Sequence, residues 1–184
     1  MTKVQELREI GMDNGGFVES ADAAAVGLDP KALSRMAGRG RLHRELHGIY
    51  RFPEIPIDDS TEYRLALLWA GDGAALDAES VLVALNLCDV NPRFVHVAVP
   101  PGRRIRRQGK DHYRLSTARF DVEMHGDLAM VALPQAIERA LGQGLRHDLA
   151  VQAVGTALRL ELLQKTEAHE ILKSLGADEA ENEV

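Results

Sequence analysis

Residues 31–51 carry six cationic side chains and one carboxylate, Glu45, in a chain whose overall net charge is −6. A local net charge of +5 on an acidic chain predicts focused contact with a polyanion rather than general adhesion to one. Guanidinium and ammonium groups bind phosphate oxygens, and arginine can also bind the edge of a guanine through two hydrogen bonds. The side chains predicted to contact nucleic acid are Lys31, Ser34, Arg35, Arg39, Arg41, Arg44, His47 and Arg51.

A second basic stretch lies later in the chain, after two consecutive prolines. It contains five cations and no acid. Its cationic residues are Arg103, Arg104, Arg106, Arg107 and Lys110. Two interpretations are equally favoured. The stretch is either a second surface that contacts phosphates or a flexible, solvated loop.

Two short helices are predicted to position the first group of cations. Asp29 and Pro30 are typical of a helix start, and the 3.6-residue period places Leu33 and Met36 on one face. Lys31, Ser34 and Arg35 then fall on the opposite face. The preceding helix is predicted over residues 20–26, with Ser20 as its cap and Gly27 as its end. A helix pair with a short Gly-containing connection indicates a helix-turn-helix.

A β-hairpin is predicted directly after this pair, over residues 42–52 with His47-Gly48 as its turn. A two-residue turn places Leu46 opposite Ile49 and Arg44 opposite Arg51. Like charges that face each other are unfavourable in isolation, so this pairing favours a polyanion nearby. A helix over residues 3–14 and a short strand at residues 17–18 complete the prediction of a winged helix-turn-helix.

A Pro- and Asp-rich linker at residues 54–60 is predicted to divide the chain. Residues 1–55 are predicted to form a winged helix-turn-helix DNA-binding domain. Residues 60–175 are predicted to form a small mixed α/β domain with C-terminal helices, and the acidic tail at 176–184 is predicted to be disordered. The predicted fold class is α+β. Helices are expected at residues 61–70, 77–85, 133–141, 148–160 and 167–175, and strands at 94–99, 112–115 and 120–124.

The residues that could support catalysis or metal binding form no strong pattern. His43 and His47 fall in the predicted hairpin, where a four-residue spacing does not bring two ligands together, so no metal site is expected. No nucleotide-binding glycine motif is present, and no cofactor is expected. Asp121 and Glu123 lie two apart on a predicted strand, as in some nucleases, but no lysine follows in that strand. An enzyme, as a vestigial nuclease, is therefore the least favoured interpretation.

Composition adds two further expectations. The single Cys88 excludes an intramolecular disulfide, and no apolar run is long enough to span a bilayer. We therefore expect a cytoplasmic protein that makes no membrane contact.

The segment GGFVESADAAAVGLDPKALSRMAGRGRLHRELHGIYRFP resembles the N-terminal winged helix of the AbiEi antitoxin family of type IV toxin–antitoxin systems. YRLALLWAG, the DAES helix and FVHVAVPPGRR follow in the order found in that family. The resemblance implies a sequence-specific repressor that binds double-stranded operator DNA and represses its own operon. It also implies that the C-terminal half neutralises a nucleotidyltransferase-like toxin.

A different function remains open from the residues alone. Winged helices also bind proteins, so the domain could be a docking module without DNA specificity. The sequence leaves the oligomeric state undetermined, since no heptad repeat indicates a coiled-coil dimer.

Overall fold

The computed structural model describes residues 1–29, 31–102 and 111–175, which belong to two compact units. The first unit is Met1–Gly71, and the second begins at Asp72. The second basic stretch at 103–110, Pro30 and the acidic tail at 176–184 lie outside the described residues.

The first unit consists of three helices, a three-stranded antiparallel sheet and a fourth helix. Its elements are α1 (Lys3–Asp13), β1 (Phe17–Glu19), α2 (Ser20–Ala25), α3 (Ala32–Gly38), β2 (His43–Leu46), β3 (Ile49–Arg51) and α4 (Thr61–Ala70). The strand order is β1-β3-β2, so the hairpin and the short link after α1 form one sheet. This arrangement of helices and wing confirms the predicted winged helix-turn-helix fold.

Local hydrogen bonds explain where the helices begin. A capping box starts α1, because Gln5 N–H donates to the Thr2 hydroxyl and Thr2 N–H donates to the Gln5 side chain. The prediction that Ser20 caps α2 was wrong. The cap residue is Glu19, whose N–H donates to the Asp22 carboxylate at 2.7 Å. Gly27, with φ of 70°, ends α2 as predicted.

Both faces of the small sheet are covered by apolar side chains. On one face, a cluster that includes Leu7, Leu33 and Tyr50 joins the three N-terminal helices to the sheet. On the other face, Phe17 and Ile49 pack against Leu65 of α4. The helix α4 therefore belongs to the first unit, although the linker prediction placed it in the second domain.

The second unit is a mixed five-stranded sheet with four helices. Its elements are β4 (Ala75–Leu76), α5 (Glu79–Ala84), β5 (Val95–Val99), β6 (Tyr113–Thr117), β7 (Val122–His125), β8 (Leu128–Val131), α6 (Leu133–Gly142), α7 (His147–Arg159) and α8 (Lys165–Ser174). The strand order is β6-β5-β4-β8-β7, with β5–β6 and β4–β8 parallel. The α+β class is confirmed, whereas β4 and β8 were not predicted.

Gln164 caps the last helix, and its N–H donates to the Glu167 carboxylate at 2.9 Å. None of the helices in the described ranges combines the length and the apolar character needed to cross a membrane.

Candidate nucleic-acid interface

Helix α3 has one buried and one exposed face, as its sequence period predicts. Ala32 and Leu33 are buried, and Met36 packs against the core from the edge. Lys31 at the start of the helix is exposed, and so are Ser34, Arg35 and Gly38 within it. Two cations and a hydroxyl therefore extend into solvent from a backbone that the core holds in place.

Asp29 fixes the start of α3 and lies close to one of these cations. Its Oδ1 accepts a hydrogen bond from the Lys31 N–H at 2.6 Å. The Arg35 guanidinium lies 3.5 Å from the same oxygen, and both side chains are more than half exposed. An exposed pair at this distance is weak and is screened by salt, so Arg35 can exchange Asp29 for a stronger anionic partner.

Two further cations follow α3 at a tight turn. Arg39 and Arg41 are exposed on either side of Gly40, which has φ of 72°. The Gly40 N–H donates to the Ala37 carbonyl, and the Arg41 N–H donates to the Met36 carbonyl, both at 3.0 Å. This is the Schellman arrangement, which neutralises the free carbonyls at the helix end.

The wing hairpin confirms one predicted pairing and corrects the other. Leu46 lies opposite Ile49, as predicted for a two-residue turn at His47-Gly48. A β-bulge between Arg44 and Leu46 shifts the register, so Arg44 lies opposite Tyr50 instead of Arg51. The two arginines consequently do not face each other, and their pairing gives no sign of a polyanion nearby.

Arg44 and His47 nevertheless form an exposed pair at the tip of the wing. The Arg44 Nη2 lies 3.0 Å from His47 Nδ1, and both residues are exposed. With a neutral ring, that nitrogen acts as the acceptor, so the histidine orients the guanidinium while leaving its other donors available.

Arg51 differs from the other cations predicted to contact nucleic acid, because its side chain is buried and has internal partners. Its side chain is only 9% exposed, and its Nε lies 3.3 Å from the Glu45 carboxylate. The Arg51 Nη1 also donates to the carbonyls of Phe52 and Ile55 at 3.3 and 3.1 Å. Arg51 is therefore a structural side chain that ties the wing to the segment after it.

The remaining residues of the predicted set define what we call the basic face. All are exposed: Lys31, Ser34, Arg35, Arg39, Arg41, Arg44 and His47. Helix α3 packs directly against β2, so the helical and wing portions of the basic face belong to adjoining elements. No ion pair joins Lys31, Arg39 or Arg41 to another residue within the described part of the first unit. The five cations at 103, 104, 106, 107 and 110 lie outside the described residues.

The two carboxylates considered for a nuclease are engaged elsewhere. Asp121 precedes β7 and binds the Gln135 side-chain amide, which both donates to its carboxylate and accepts its N–H. Glu123 lies 3.5 Å from the ring of His125. Across residues 1–29, 31–102 and 111–175, no cluster of three His, Cys, Asp or Glu side chains is arranged to hold a metal ion.

The second unit contains a buried ionic cluster that the sequence analysis did not find. The carboxylate of Asp77 is 1% exposed and accepts two hydrogen bonds from Arg139, at 2.7 and 2.6 Å. The Ser116 hydroxyl donates to the same carboxylate at 2.8 Å. Asp77 is therefore the anion of a buried bidentate pair.

A neighbouring hydrogen bond links the start of α5 to β5. The Ser80 hydroxyl accepts the His96 N–H at 2.8 Å. Burial lowers the pKa of the His96 ring, although the nearby Glu79 and Asp77 carboxylates act in the opposite direction. The Asp77 carboxylate and the Ser80 and Ser116 hydroxyls all have hydrogen-bond partners within the protein, so we interpret the cluster as structural rather than catalytic.

Comparison with known proteins bears on the N-terminal unit most directly. Residues 5–53 match the family model described as "Transcriptional regulator, AbiEi antitoxin", which confirms the resemblance inferred from that segment. No curated protein matches the chain. The crystal structure of the RV2827C protein from Mycobacterium tuberculosis is similar, with a TM-score of 0.55 and 16% identity over 97% of this chain and 77% of that one. At that identity the likeness concerns the fold alone.

Proposed function

We propose that this chain, whose residues 5–53 match transcriptional regulators of the AbiEi antitoxin family, is a sequence-specific DNA-binding repressor of antitoxin type. The observation that carries the proposal is the basic face. It is exposed on α3, on the turn after α3 and on the wing of a winged helix-turn-helix, in a chain of net charge −6.

The position of each residue suggests its role. The second helix of such a pair enters the major groove, so Lys31, Ser34 and Arg35 reach base edges and nearby phosphates. Arg39 and Arg41 at the end of α3 contact the phosphate backbone. Phosphate contacts set the orientation of the protein, and base contacts supply its specificity.

The wing contributes a separate contact. Arg44 and His47 are already paired with each other at its tip, at 3.0 Å. A guanidinium held in one orientation loses less conformational entropy when it binds a phosphate. We assign this pair to the DNA backbone or the minor groove beside the site of α3.

The test uses a DNA duplex with the sequence directly upstream of the protein's own coding region. The variant Lys31→Ala/Arg35→Ala should bind it roughly 10- to 100-fold more weakly than the wild type, since one bidentate base contact alone contributes about 1–3 kcal/mol. Fluorescence anisotropy at fixed salt measures the affinity.

The matched control, Arg146→Ala/Arg159→Ala, removes the same charge from exposed residues of the second unit. It should bind as the wild type does. Equal binding by the wild type and the α3 variant would refute the assignment. Salt-insensitive binding to a protein, with no affinity for DNA, would instead support a docking module.

The proposal extends to regulation and to a partner. We infer that the DNA site is the operator of the protein's own operon. We further infer that the second unit neutralises a nucleotidyltransferase-like toxin encoded beside it. Support comes from the antitoxin description of the matched family. Co-expression of residues 72–184 with the neighbouring gene product should relieve its toxicity without repressing the promoter, and persistent toxicity would contradict this division of labour.

A further inference from the structure

Helix α3 ends in two glycines, and only one of them is required by the backbone. Gly40 has φ of 72°, a conformation that residues with a side chain rarely adopt. It serves as the left-handed residue of the Schellman turn described above. Gly38 is the last residue of the helix and has no such requirement, because its φ is not positive.

No neighbour in the described part of the chain explains Gly38 either. Apart from its chain neighbours and the backbone of its own helix, a Cβ atom built at this position meets no described atom within 4 Å, and the residue is exposed. A glycine in a helix costs stability relative to alanine because it leaves more backbone freedom in the unfolded chain. Neither local conformation nor the described packing therefore favours glycine over alanine at position 38.

The surroundings of Gly38 are those of the basic face. Arg35 lies on the preceding turn of the helix, and Arg39 and Arg41 follow it, all three exposed. A position without a side chain, amid exposed guanidinium groups, leaves the main chain accessible to a bulky anion.

We propose that Gly38 is the point at which the phosphodiester backbone of the DNA duplex approaches the main chain of α3 most closely. The absence of a Cβ atom admits the backbone, and the flanking arginines bind its phosphates. This inference rests on the proposed DNA-binding function and adds a positioning residue to the basic face.

The chain contains a matched control for this position. Helix α6 ends in Gly142-Gln143-Gly144, and its turn repeats the Schellman hydrogen bonds, from Gly144 N–H to Leu141 and from Leu145 N–H to Ala140. Gly142 occupies the same place as Gly38 and is exposed. A Cβ atom there also meets no described atom within 4 Å beyond its chain neighbours and its own helix backbone. It lies in the second unit and outside the basic face.

The experiment compares Gly38→Ala with Gly142→Ala in the full chain. Each should raise the melting temperature by about 2–4 °C, because alanine reduces the entropy of the unfolded chain. Gly38→Ala should also bind the upstream duplex about tenfold more weakly, as expected when a methyl group is forced into a close contact. Gly142→Ala should bind as the wild type does.

Three other results would overturn the inference. If the wild type binds the duplex and Gly38→Ala binds it equally well, the proposed function stands and the role of Gly38 is refuted. A lower melting temperature of Gly38→Ala would assign the glycine to packing within the chain. Failure of the wild type to bind the duplex would refute the proposed function and this inference with it.

Discussion

Replacing Arg139 with alanine is expected to lower the free energy of unfolding by about 3–5 kcal/mol, the usual cost of breaking a buried ion pair. The substitution leaves the Asp77 carboxylate, which is 1% exposed, without its two strongest donors. The Ser116 hydroxyl and one backbone N–H then remain to stabilise a buried charge. Urea denaturation followed by circular dichroism measures the loss.

Two further variants distinguish the effect of breaking the ion pair on stability from the effect of shortening a side chain. Arg146→Ala breaks an exposed pair with Asp148 and should leave the unfolding midpoint unchanged, because water replaces the lost contact. Asp77→Leu/Arg139→Met removes both charges and should recover most of the stability that Arg139→Ala loses. If Arg139→Ala were as stable as Arg146→Ala, the pair would contribute nothing to the second unit.

Replacing Arg51 with methionine is expected to cost about 2–3 kcal/mol of unfolding free energy, less than a fully buried pair because Glu45 is partly exposed. The substitution keeps an apolar stem of similar length but removes the contacts to Glu45 and to the carbonyls of Phe52 and Ile55. The same urea titration measures the effect.

Arg44→Met on the neighbouring strand is the control, because the opposite effects on stability and on DNA binding are expected for it. Arg44 is exposed, so its replacement should leave the unfolding midpoint unchanged and weaken binding to the upstream duplex. Folded Arg51→Met protein, measured at low temperature, should keep more affinity than Arg44→Met. The opposite ranking would restore Arg51 to the DNA contacts and refute its structural role.

Local sequence signals were sufficient for much of the first unit. The spacing of Leu33 and Met36 placed Lys31, Ser34 and Arg35 on the exposed side of α3, because the helical period alone decides which residues share a face. A glycine at position 48 predicted the turn that places Leu46 opposite Ile49.

Arg51 shows where local reasoning failed. The bulge beside Glu45 moved Arg44 out of register with Arg51, and a single extra residue of this kind has no clear signature in the sequence. The second cause is tertiary, because Phe17 and Ile49 on the same sheet pack against α4, which was assigned to another domain. The sequence did offer one signal: the Glu45 carboxylate, on the strand paired with that of Arg51, could serve as an internal partner for Arg51.

The Asp77–Arg139 pair was missed for a related reason. Asp77 is one of only two acids in the apolar segment AALDAESVLVAL, a setting that indicates a buried carboxylate. Arg139 follows Ala136 and Ile137 on a helix whose apolar face is buried. The two residues lie 62 positions apart, and the strand β4 that brings Asp77 into place has only two residues. A single sequence gives no means of joining such distant positions.

Binding of DNA phosphates by the basic face should make the affinity depend on salt concentration. Binding of the upstream duplex should be measured from low to moderate salt for the wild type and for Lys31→Gln/Arg35→Gln/Arg44→Gln. Each cation that contacts a phosphate should contribute about 0.9 to the slope of log affinity against log salt. We expect a clearly shallower slope for the variant; an identical slope would refute phosphate binding by the basic face.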